Sequence, residues 1–99
     1  MNSKSDKLKK YSIETASDNS EAVFVLSTKR PVFRAVVHRF ENFSDFIKFD
    51  TANPKVQVHK LPIWLEVVEI EPEFNEKYFE RSLKQMAHWY FFTQINGRE

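Results

Sequence analysis

From residue 73 to residue 96 the chain runs without a glycine or a proline, and that run constrains the fold more than any other feature. Pro72 suits the first turn of a helix, where its missing N–H goes unused. Glu71, Glu73 and Glu76 cluster at the positive end of the helix dipole, and Arg81 and Lys84 follow. Asn96-Gly97 is a stop signal, because glycine takes the left-handed cap conformation without strain. Phe79, Leu83, Met86 and Tyr90 recur at spacings of 4, 3 and 4, which places them on one helical face. The distal half breaks this stripe, since Trp89, Phe91, Phe92 and Ile95 point several ways around the axis. A helix apolar on most sides is buried on most sides. Two readings fit: a central core helix, or a helix whose far end covers a partner. The segment is too short, and too polar at His88, Thr93 and Gln94, to span a bilayer.

Ahead of this helix the pattern is strand-like. Glu21 to Thr28 is β-branched and aromatic, and reads as a strand. Lys29-Arg30-Pro31 breaks it, and Val32 to Phe40 forms a second strand, making an antiparallel hairpin with Pro31 at the turn or on an edge. Alternation divides the second strand into Val32, Arg34, Val36, His38 and Phe40 against Phe33, Ala35, Val37 and Arg39. Neither set is purely apolar, so the pattern leaves the inward face open. Asn42 to Asp50 reads as a short helix, capped by Asn42 or Ser44, with Phe43, Phe46 and Ile47 on one face. Asn53-Pro54 marks a loop, Val56 and Val58 fit a short strand, and Ile63 to Ile70 is the third main strand. Residues 1–20, with Lys4, Lys7, Lys9 and Lys10 among serines, read as a disordered basic tail, although Tyr11 and Ile13 leave room for a short strand. The expectation is an α+β fold: a 1–20 tail, then one domain over 21–99 whose small antiparallel sheet (order β-β-α-β-α) packs on one long C-terminal helix.

Composition narrows the function classes. A chain of 99 residues holds one domain, and ten phenylalanines give it a core without cross-links. No cysteine means no disulfide, thiolate metal site or cysteine nucleophile. The polar N-terminus has no apolar signal region, so the expected location is cytoplasmic. One glycine in the chain argues against a phosphate-cradling loop, and no nucleophile elbow or His-Glu-x-x-His pattern occurs. His38, His59 and His88 show no ligand spacing, so no metal and no cofactor is expected; His38 and His59 read as solvent-facing strand residues. Strict alternation puts Glu66 and Glu69 on opposite strand faces, and an inward carboxylate there would have a raised pKa. A ribonuclease-like cluster of Arg34, His38, Arg39 and His59 is a further, minor reading.

Net charge is +1, but it is segregated: residues 29–39 are basic and residues 61–80 are acidic. The leading expectation is a non-enzymatic protein-interaction module, a regulator, adaptor or inhibitor. Chains of this make are frequent among regulators carried by phages and mobile elements. Trp89, Tyr90 and Phe92 are the expected anchors and Arg30 and Arg34 the polar contacts, with a homodimer through the C-terminal helix as the simplest form. The alternative is nucleic-acid binding by a basic aromatic hairpin through Lys29, Arg30, Arg34, His38 and Arg39. Neither a membrane nor a small-molecule substrate is expected.

Overall fold

The computed structural model describes residues 10–15 and 22–97. They form an α+β domain. Strands β1 (Tyr11–Thr15), β2 (Val23–Ser27) and β3 (Phe33–Arg39) are followed by the short helix α1 (Phe43–Ile47). Strands β4 (Lys55–Gln57) and β5 (Ile63–Ile70) come next, then helix α2 (Glu76–Tyr90), which runs on as a π-helical turn over Phe91–Ile95. The five strands make one antiparallel sheet in the order β1-β2-β3-β5-β4. The expected β-β-α-β-α series is therefore present with two short edge strands added. β1 lies inside the stretch read as a tail, so the folded unit begins before residue 21. The rest of that tail, 1–9 and 16–20, lies outside the described residues.

Helix α2 covers one face of the sheet. Phe79, Leu83, Met86 and Tyr90 are all buried, as the 4-3-4 spacing requires, together with Ser82 and Ala87. They meet Val25, Phe33, Ala35, Ile63, Leu65, Val67 and Val58. Full burial of such side chains is worth about 1.5–3 kcal/mol each. On β3 the inward set is thus Phe33, Ala35 and Val37, which leaves Arg34 and His38 on the opposite, open face. The two buried serines are hydrogen-bonded. Ser27 Oγ lies 2.9 Å from the Lys29 carbonyl and 3.0 Å from that of Pro31, and the Tyr11 hydroxyl donates to the Ser82 carbonyl at 2.9 Å. The Tyr11 bond ties the edge strand β1 to α2.

The helix starts later than Pro72 implies. Asn75 is the cap, its side-chain oxygen accepting from the Lys77 and Tyr78 backbone N–H groups at 3.0 and 3.2 Å. Its end is as expected: Asn96 is still right-handed and Gly97 takes φ 71°. A register shift opposite Arg34/Ala35 overturns the alternation argument for β5. Arg34 pairs with Glu69, Ala35 with Val67 and Val36 with Glu66, so an extra residue resets the parity. Glu66 and Glu69 consequently share the open face.

Candidate functional site

The open face carries a chain of rings. Phe40 follows β3, Phe46 sits on α1, Phe49 follows α1, and Trp64 lies on β5. Centroid separations are 6.1 Å for Phe40–Phe46, 5.2 Å for Phe40–Phe49, 6.2 Å for Phe46–Trp64 and 5.8 Å for Phe49–Trp64. These tilted geometries suit the quadrupoles of the rings. The α1 turn folds over this end of the sheet because Phe46 has Trp64 and Phe40 to pack on. Its neighbours find no such cover: Phe43 is 69% exposed and Ile47 63%. They stand four residues apart on one helical turn, so they present a single apolar ridge. The Phe43 ring tilts against that of Phe46, 5.6 Å between centroids. The buried Trp64 Nε1 has no acceptor among the described residues.

Beside the rings lies a carboxylate knot. Glu66 accepts from the Thr51 hydroxyl at 2.7 Å, from His38 Nε2 at 2.7 Å and from the Asn53 amide at 2.8 Å. The Thr51 hydroxyl, then the His38 and Asn53 donors, hold its carboxyl below the usual carboxylate range, in spite of its burial. This is the opposite of the raised pKa expected for an inward glutamate. A carboxylate with three donors already on it is a weak base, and its role here is to anchor the 51–53 loop to β5.

The expected anchors on α2 fare differently. Tyr90 is 1% exposed and its hydroxyl accepts from Arg39 at 2.6 Å, so it belongs to the core and presents no surface to a partner. Trp89 is half-buried against Tyr11, 5.7 Å between centroids. Phe92 is half-buried beside His88, at 4.5 Å. Phe91 stacks on His59 at 3.9 Å. His59 is therefore an exposed turn residue with φ 52°, lying against the helix end, and not a strand residue. The aromatic surplus of the helix end has partners within the chain, which alternation and periodicity alone do not reveal.

The hairpin cations do not form one platform. Arg34 bridges Glu14 at 3.3 Å and Glu69 at 3.0 Å, over the Phe24 ring. His38 is held by Glu66, and Arg39 turns to the helix side of the sheet to reach Tyr90. Lys29 and Arg30 sit at the β2–β3 turn, Arg30 largely exposed and 3.9 Å from Glu71. Among the described residues no cluster of three or more metal-ligating side chains occurs, and no helix is long and apolar enough to cross a membrane. Comparison with protein-family models, with curated proteins and with solved structures finds no match to this chain.

Proposed function

We propose that the chain is a protein-binding module without chemistry of its own, and that it docks its partner on the α1 ridge of the open face. The observation that carries this is the pair Phe43 and Ile47, the two most exposed large apolar side chains described, seated on a continuous layer of rings. An exposed apolar ridge with aromatic support and a charged surround is the anatomy of an interface core. A regulator, adaptor or inhibitor role fits such a surface, and a second copy of the chain is its simplest occupant. Covering the ridge removes two largely exposed side chains from water, worth together about 3 kcal/mol, or about a hundredfold in affinity.

The test is a comparison of wild type, Phe43→Ser/Ile47→Ser and Trp89→Ala. Each is followed by sedimentation over a concentration series and by affinity capture from its native cells. Self-association or a captured protein that the double variant loses and Trp89→Ala retains supports the reading. Association that survives the double substitution, with the fold intact by thermal melting, refutes it.

A further inference from the structure

On the helix side, away from the α1 ridge, a cleft of about 270 Å³ opens between the start of β1, the β2–β3 turn and the first turns of α2. Tyr78, Arg81, Ser82 and Gln85 line it from the helix, at the i, i+3, i+4 and i+7 positions of one stripe. Lys10 and Arg30 line it from the sheet end. Three cations from three separate elements thus converge on one opening, and no lining residue is acidic. Their partners hold them only loosely. Lys10 Nζ donates to Gln85 Oε1 at 3.1 Å, and the Arg81 guanidinium lies over the Tyr78 ring at 6.0 Å. Arg30 stands 3.9 Å from Glu71, whose other oxygen is taken at 2.8 Å by the Val32 N–H.

With its oxygen bonded to Lys10, the Gln85 amide has its NH2 group left to donate. The Tyr11 proton goes to the Ser82 carbonyl, so the Ser82 hydroxyl, 3.2 Å away, donates back to Tyr11 and closes the floor of the cleft. What remains aimed at the opening is a set of cationic and neutral donors. Like charges lining one opening repel one another, and an anion between them relieves that repulsion. At the rim stands Tyr78, 60% exposed, offering ring surface beside the cations.

We infer that this cleft binds the phosphate of a nucleotide, with Lys10, Arg30 and Arg81 on the phosphate and Tyr78 stacked on the base. Cationic donors for phosphate next to an exposed aromatic ring are the parts such recognition requires. With the phosphate among the cations, the base falls at the rim, where the Tyr78 ring is exposed. The same chemistry serves a free nucleotide or one unit of a single strand. The site also recasts the basic hairpin: Arg30 finds its companions on β1 and α2, not along β3.

Calorimetric titration of the full chain with thymidine monophosphate, thymidine, inorganic phosphate and a short oligothymidylate tests this, at low and high salt. Thymidine monophosphate is expected to bind more tightly than inorganic phosphate by about tenfold, the contribution of one stacked base. Thymidine should not bind detectably, and salt should weaken the nucleotide. Arg81→Ala and Lys10→Ala should each weaken it by about tenfold, the loss of one charge-assisted bond. Arg81→Lys should restore part of the loss, Tyr78→Ala should bring thymidine monophosphate to the level of phosphate, and Lys60→Ala, an exposed cation elsewhere, should change nothing. An oligothymidylate much tighter than the mononucleotide identifies a strand as the source, and equal affinity identifies the free nucleotide; either upholds the site. Thymidine matching its monophosphate, or Arg81→Ala binding like wild type while melting normally, overturns it.

Discussion

Replacing Glu66 with glutamine keeps the shape of the side chain and removes its charge. In the folded protein that carboxylate takes three donors, at 2.7, 2.7 and 2.8 Å. A hydrogen bond to a charged group contributes about 1.5–3 kcal/mol net. Glutamine keeps one acceptor oxygen and turns an NH2 group toward the remaining donors, so one to two of these bonds are lost. The expected destabilisation is about 2–3 kcal/mol, or a fall in melting temperature of about 10–20 °C for a domain of this size. The acid limb supplies an independent check. The folded carboxyl lies below its unfolded value, which is about 4.3. Between those two values the unfolded state binds more protons, so stability rises with pH there. The contribution is complete above the unfolded value and disappears as pH falls through the folded one. Urea denaturation of both proteins, followed by tryptophan fluorescence, should therefore give a difference at neutral pH that shrinks below about 4.3. A difference under about 0.5 kcal/mol at neutral pH, or one that persists unchanged in acid, refutes the account of Glu66 as the anchor of the 51–53 loop.

Tyr90→Phe removes the acceptor of the Arg39 bond but keeps the buried ring, and should cost about 1–2 kcal/mol in urea denaturation without changing any binding. Asn75→Ala leaves the Lys77 and Tyr78 N–H groups without their side-chain acceptor and should cost about 1 kcal/mol, read from the same denaturation curve.

The main helix was legible because its stripe is local. Phe79, Leu83, Met86 and Tyr90 announce their face by spacing alone, and every one of them is buried. The inward face of β3 was not legible, because each face carries a cation whose partner lies far away in sequence. Arg39 sits on the helix-facing side at the exposed end of β3, where its guanidinium reaches the Tyr90 hydroxyl. Arg34 and His38 sit on the open face with glutamates from β1 and β5. The parity of Glu69 depends on a register shift that no alternation rule contains. β1 was hidden for a related reason: Tyr11 anchors it through a bond to Ser82, 71 residues away, and its neighbours are polar. Arg30 lines a cleft together with other cations. Its companions Lys10 and Arg81 come from segments that looked like a tail and a helix exterior. The α1 ridge was visible as an apolar face of a short helix, but only packing shows that Phe46 is covered while Phe43 and Ile47 are not.

The two margins of the sheet are unequal, and that limits how copies can add to it. β4 is three residues long, is preceded by Pro54, and ends at the turn through His59. It offers a neighbouring strand almost no backbone to pair with. Endless growth by strand addition needs two usable margins, one on each side of every copy. Among the described residues there is at most one, along β1, and a β1-to-β1 pairing consumes it on both copies at once. Association through the sheet would therefore stop at pairs, which protects a strand-rich, aromatic-rich chain from forming fibres in its folded state.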